Sequence, residues 1–316
     1  MSSLLIRNFT PDDIPQVMEL QQAYQKGYPN AAVIPGEAYL SPSFCDGKNI
    51  FCAFDEGGIL QGYAPLFPVL TEAPEAPHTI WAEVKVSPEL GYPLEVKDAL
   101  FERILDRAKE VVQTCPGHPV QLSFQYHPSE TSSIEYVTSR GGIYSESVFR
   151  MMCDLTQELP AVPSPEQIEV RPWRMESEKE QRAYVQARNE VFSDAPVTLA
   201  DWQAFLHLPS WETGTTFTAF DQQEIVGSVT VYWDESISQQ VGRKIGFTEY
   251  IFVRKNWRKR GIAPFMIYQG LIYLKQHGRE AALLEVKATN QRALDLYYGL
   301  GYQLVDESRL YVFTLP

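Results

Sequence analysis

Apolar and polar positions along this chain fall into short alternating runs separated by stretches of helical spacing, and the same succession occurs twice. In the first half, residues 4–9 alternate closely enough for an opening strand. Thr10-Pro11-Asp12-Asp13 then supplies an N-cap followed by proline at the first helical position, which predicts a helix over 12–25. Residues 51–62 read as two strands around a turn containing Gly57-Gly58, a hairpin. Residues 79–86 form another alternating strand, ended by Ser87-Pro88. Leu100, Ile104, Leu105 and Ala108 share one face of a helix expected over 94–112, and Pro116-Gly117 marks the loop beyond it. A strand over 120–124, a helix over 132–140 ending at Gly141-Gly142, and a strand over 148–155 complete the half.

Pro160, Pro163 and Pro165 then fall within seven residues, which forbids regular structure and favours a stiff, extended connection. After it the programme restarts with a strand over 168–173, a helix over 178–192 and a hairpin over 217–227. Phe217-Thr218-Ala219-Phe220-Asp221 echoes Phe51-Cys52-Ala53-Phe54-Asp55 at an offset of 166 positions. Ile6-Arg7 against Val170-Arg171 and Val86 against Val253 keep offsets of 164 and 167. Three matches in nearly one register make the halves copies of one fold. A strand over 248–253, a helix over 264–277, a strand over 282–286 and a helix after Asn290 close the second copy. The expected division is a domain over 1–158, a proline-rich linker over 159–165 and a domain over 166–316.

Composition narrows the class. A length of 316 residues suits two domains, and 44% hydrophobic with 21% charged residues is a globular balance. No apolar run approaches the roughly 18 residues of a membrane span, and residues 1–8 lack a basic segment followed by an apolar one. A cytoplasmic protein without membrane partners, monomer or homodimer, is the expectation. Cys45, Cys52, Cys115 and Cys153 lack metal-ligand spacing, and the five histidines are scattered, so no metal is expected. A formal net charge of −13 argues against nucleic acid and leaves a cationic amine permissible as substrate.

One stretch runs against that charge. Val253-Arg254-Lys255-Asn256-Trp257-Arg258-Lys259-Arg260-Gly261-Ile262-Ala263 links a strand to a helix, and five of the seven residues 254–260 are Arg or Lys. A turn that feeds a helix start leaves backbone N–H groups aimed outward where the macrodipole favours an anion. Gly261 and the small Ala263 let the main chain approach that anion, so the loop reads as a pyrophosphate cradle. Downstream stands Asn290-Gln291-Arg292-Ala293-Leu294-Asp295-Leu296-Tyr297-Tyr298-Gly299-Leu300-Gly301-Tyr302. The two segments, in this order, resemble motif A and the N-x-x-A-x-x-L-Y-x-x-x-G-[F/Y] motif of the GCN5-related N-acetyltransferases (GNAT). The departure is Lys255, where many members carry proline. Residues 86–96 of the first copy bring Glu89 and Glu95 to the equivalent place and lack the glycine.

The resemblance implies an α/β (α+β) protein of two tandem GNAT-like domains, each a mixed, mainly antiparallel twisted sheet flanked by helices, similar in arrangement to the mycothiol synthases. It implies acetyl-CoA as co-substrate and transfer of the acetyl group to a primary amine of a small molecule or peptide by direct attack. It places cofactor contacts at Ile251, Phe252, Val253, Arg258, Lys259, Arg260, Gly261, Ile262, Ala263, Asn290 and Ala293, and the general acid at Tyr297. Glu249, sharing a strand face with Ile251 and Val253 by period two, is the nearest carboxylate for a base. Each residue has a plainer reading: Tyr297 as packing, Asn290 as a helix cap, Glu249 as a solvated strand charge. Residues 188–194 with Trp202, Trp211 and Trp233 are candidates for an acceptor wall or for core. A non-catalytic acyl-CoA-binding or sensing protein is the alternative from another class.

Overall fold

The computed structural model describes residues 4–70, 77–114, 117–193 and 195–315, with the Gln240 side chain excepted. Cys115 and Asp194 lie outside the described residues. The chain divides into two compact units, one of Met1–Glu146 with Ser308–Pro316, the other of Ser147–Glu307.

The first unit is built from β1 (Leu5–Asn8), α1 (Ile14–Gly27), β2 (Ile50–Phe54), β3 (Leu60–Val69), β4 (His78–Ala82), β5 (Lys85–Val86), α2 (Pro93–Thr114), β6 (Val120–Tyr126), α3 (Thr131–Ser139) and the start of β7 (Ile143–Asp154). Its sheet runs β1-β2-β3-β4-β6, with β5 beside β3. Pairing is antiparallel except for β4 with β6. Two expectations need correction here. The helix predicted from residue 12 opens as a 3-10 turn, and α1 begins at Ile14, because the Asp13 carboxylate accepts from the backbone N–H of Thr10 and pairs with Arg7. The strand predicted over 79–86 splits, β4 pairing with residues 66–69 of β3 and β5 with residues 62–63.

The second unit repeats the plan with β8 (Glu169–Trp173), α4 (Glu178–Asn189), α5 (Leu199–Leu206), α6 (Pro209–Glu212), β9 (Thr215–Asp221), β10 (Glu224–Tyr232), α7 (Glu235–Val241), β11 (Ile245–Val253), α8 (Ile262–Gln276), β12 (Ala281–Lys287), α9 (Gln291–Gly299) and the start of β13 (Tyr302–Leu315). The order is β8-β9-β10-β11-β12, again antiparallel except for the last pair. Duplication is thus present strand for strand.

The compact units do not follow the limits 1–158 and 166–316, because each sheet takes its last strand from the other copy's stretch of chain. Residues 148–154 of β7 pair antiparallel with β12, and Arg309–Leu315 of β13 pairs with β6. The proline-rich segment 159–165 is irregular, as expected, yet Leu159 and Val162 pack onto the second unit's core. In that core Met266, Ile267, Leu271 and Leu274 of α8 are fully buried, each contributing about 1.5–3 kcal/mol relative to exposure. A Cβ on Gly270 would stand 2.7 Å from Val231, so the missing side chain sets how closely α8 lies on β10. Among the described residues no helix is long and apolar enough to cross a membrane, and no group of three or more His, Cys, Asp or Glu is placed to hold a metal.

Candidate active site

The site begins with a fork in the second unit's sheet. β11 pairs with β10 as far as Val253, but with β12 only through Ile245, Gly246 and Phe247. Beyond Phe247 the edge of β11 that faced β12 has no strand partner among the described residues. Thr248 stands at the vertex, its hydroxyl 2.7 Å from that of Tyr302. Tyr250 takes φ 48°, and the β10–β11 register shifts between Ser228 and Thr230, a bulge that places two β11 residues opposite one on β10. The bulge breaks the alternation on which the Glu249 expectation rested. Ile251, Phe252 and Val253 line a cleft of about 500 Å³ in the fork, and Glu249 is not among its lining residues.

At one end of the cleft the chain turns through Lys255–Trp257 into α8. Lys259 and Gly261 have φ of 64° and 73°, and this left-handed geometry opens the turn. The backbone N–H groups of Lys259, Arg260, Gly261, Ile262 and Ala263 have no hydrogen-bond partner among the described residues. Five consecutive free amides at a helix N-terminus are a geometry suited to an anion. Among the described residues, no atom beyond the adjoining chain lies within 4 Å of a Cβ built on Gly261, so the glycine serves the backbone angle and leaves open space in front of it. The expected cluster of five cations is thinner than its sequence. Arg254 is held by ion pairs to Glu190 and Glu224, Arg258 Nε donates to the Val253 carbonyl at 2.9 Å, and Arg260 donates to the Asn256 carbonyl. Arg258 and Lys259 line the cleft; Arg260 does not.

α9 also lines the cleft. Asn290 Oδ1 accepts from the Ala293 N–H at 3.2 Å, so Asn290 is the helix cap, and both residues also line the cleft. Tyr297 lines it too, 8% exposed, its ring centroid 5.9 Å from that of Tyr302. Its hydroxyl has no partner among the described residues, and burial pushes its pKa up to about 12, so it carries its proton throughout the neutral range. Neighbouring Tyr298 is 43% exposed and lies off the cleft.

Glu249 sits beside the fork. Desolvation raises its pKa to about 7; a hydrogen bond from the Tyr232 hydroxyl lowers it, and the charge of Glu285 adds to the rise. Around it Tyr232 stacks on Phe247 at 5.2 Å, and Phe205 meets Tyr232 and Tyr250 edge-on at 5.8 and 5.7 Å. A carboxyl that titrates near neutrality against an aromatic wall is suited to taking a proton from an amine. Trp202, Trp211 and Trp233 are buried core residues and do not line the cleft. Val191 and Phe192, from the stretch 188–194, do line it. Sequence reading missed Trp257, Pro264, Arg292 and Leu296 as lining residues; the first three fall at variable positions in or beside the two motifs, where pattern carries no signal, whereas Leu296 is a fixed position of the second motif.

The corresponding place in the first unit is built differently. β4 stays paired with β6 through all five of its residues. Glu130 and Ser133, where the second unit has Asn290 and Ala293, are buried and hydrogen-bonded to the Tyr24 hydroxyl. Lys97 on α2 donates to Ser132 on α3, and Tyr136 and Arg140 both hold Asp98. The helices that would flank a cofactor are tied together by side chains.

Residues 171–302 match the model of the acetyltransferase (GNAT) family. The mycothiol acetyltransferase of Thermobifida fusca (strain YX) is 27% identical over 172 residues, covering 49% of this chain and 53% of that protein. The chain therefore spans about half the length of the curated relative it matches. Among solved structures, a GCN5-related N-acetyltransferase from Sphaerobacter thermophilus matches with a TM-score of 0.72 at 20% identity, over 98% of this chain and 95% of that one. A tandem GNAT protein from the clavulanic acid biosynthesis pathway matches with a TM-score of 0.71 at 13% identity, over 99% and 98%. At these identities the structural likeness is one of fold.

Proposed function

We propose that this chain, a tandem GNAT fold whose second unit carries the family match, is an N-acyltransferase that moves an acetyl group from acetyl-CoA to a primary amine of a small molecule or peptide. The observation that carries the reading is one cleft with five free amides at one end and the free hydroxyl of Tyr297 on its wall. The amides and the α8 dipole bind the pyrophosphate, and the unpaired edge of β11 at Ile251 to Val253 accepts the pantetheine arm as an added strand. Acetyl-CoA supplies a thioester carbonyl open to direct attack. Glu249, ionised above about pH 7, takes the ammonium proton and leaves the amine nucleophilic. Tyr297 donates its proton to the departing sulfur. No covalent enzyme intermediate is needed.

The first unit, its equivalent cleft closed by Tyr24, Lys97 and Asp98, has a structural role in this reading. The test is thiol release from acetyl-CoA with a panel of amines: polyamines, aminoglycosides, amino acids, cysteinyl thiol precursors and N-terminal peptides. Turnover with at least one acceptor is expected. Tight CoA binding with no turnover across the panel would replace catalysis by the acyl-CoA-binding alternative.

A further inference from the structure

Arg292 is a cation in an unfavourable place. It is the second residue of α9, where the N-terminal end of the helix dipole repels positive charge and an acidic residue is usual; the first turn of α9 contains none. It has no ion pair or hydrogen bond among the described residues, since the nearby Asp295 accepts from Gln291 at 2.6 Å. Exposed, it lines the same cleft as Arg258 and Lys259. Its counterpart in the first unit, counted from the starts of α3 and α9, is Ser132, whose oxygens hold Lys97. In the second unit none of the described residues takes that place.

Coenzyme A carries two separate anionic groups, the pyrophosphate and the ribose 3′-phosphate, the latter a monoester with a charge of about −1.5 to −2 near neutrality. The amide nest, with Lys259 beside it, offers a place for the first. Arg254 is consumed by Glu190 and Glu224, so it is not available to the second. Arg292 lies five residues before Tyr297 on the same helix, about 7 Å along the axis and away from the reacting end. A guanidinium there matches a phosphate monoester through paired N–H donors.

We infer that Arg292 holds the ribose 3′-phosphate and makes this cleft select CoA over 3′-dephospho-CoA. The inference rests on the CoA reading above. Calorimetry of the full chain, wild type against Arg292→Ala, Arg292→Lys and Lys259→Ala, with CoA and with 3′-dephospho-CoA, tests it. Wild type binds CoA about tenfold to a hundredfold tighter than the dephospho form, the range of hydrogen bonds to charged groups. Arg292→Ala loses that preference by weakening CoA alone, Arg292→Lys keeps part of it, and Lys259→Ala weakens both ligands alike. The thermal midpoint of Arg292→Ala should equal or exceed wild type, because a cation leaves the wrong end of a helix. Equal weakening of both ligands by Arg292→Ala, or a wild type without preference, overturns the inference. If wild type binds neither ligand, the CoA reading falls and this inference with it.

Discussion

At the scale of single residues, two titratable groups bracket the proposed chemistry. Tyr297, held at about 12 by burial, keeps its proton at every physiological pH. Tyr297→Phe keeps the ring and should lower kcat about a hundredfold with little change in the Kd of acetyl-CoA, the low end for a general acid because a thiolate leaves readily. Unchanged turnover in a folded, CoA-binding variant would remove Tyr297 from the mechanism. In the proposed mechanism Glu249 can act as base only when ionised, so kcat/KM should rise with pH through about 7. Tyr232→Phe deletes a hydrogen bond that lowers this pKa, and the rising limb should move to higher pH; a pH–rate profile that stays in place refutes the coupling. Stability carries the opposite sign. The folded carboxyl holds its proton more tightly than the unfolded one at about 4.5, so the contribution of Glu249 is full below about 4.5 and is lost as pH rises through about 7. Relative to wild type, Glu249→Gln should therefore melt higher at pH 8 than at pH 5, a difference that thermal scans at the two pH values measure.

Among the elements, the turn into α8 decides whether the cleft receives an anion. Its amides are free because Lys259 and Gly261 adopt left-handed angles, and an L-residue at Gly261 costs about 1–2 kcal/mol in conformation alone. Gly261→Glu adds bulk and negative charge in open space, so the fold should tolerate it while CoA affinity collapses. Lys259→Ala removes one exposed cation and should have a much smaller effect, with wild-type binding weakening as salt rises. Calorimetry at two ionic strengths compares them, and equal, small effects would reduce the loop to a surface turn.

For the whole molecule, the number of cofactors and the limits of an independently folding piece are both predicted. Calorimetry should return one CoA per chain, because the first unit's counterpart cleft is laced by Tyr24 to Glu130, Lys97 to Ser132 and Tyr136 to Asp98. A stoichiometry of two would refute this. A fragment of residues 147–307 keeps the strand that covers β12 and should fold and bind CoA. The fragment 166–316 lacks that strand, exposes the seven paired positions of β12 as an open edge, and should melt lower or aggregate. Circular dichroism and gel filtration distinguish them, and equal behaviour would mean the exchanged strand is dispensable.

What depends on neighbours in the chain was legible before folding. Period-two and helical spacing, a capping Asn290, a glycine before α8 and an offset of 166 between copies are all local, so most of the elements, the duplication and the turn of outward-facing amides could be read from letters. What depends on a partner across space could not. The bulge at Tyr250 exists only against β10, and it turned Glu249 off the cleft that period two assigned to it. Arg254 counted among the five cations of the loop until Glu190 and Glu224, 64 and 30 positions away, took it. Arg292 looked like any variable helix position until the fold placed it in the same cleft as Lys259, without a partner of its own among the described residues. The boundary of the units moved from the prolines to Ser147 because backbone pairing of β7 with β12 holds more of the chain than the linker separates. Side-chain spacing encodes propensity within a few residues, whereas pairing, burial and the neutralisation of charge are settled by which distant segment arrives alongside.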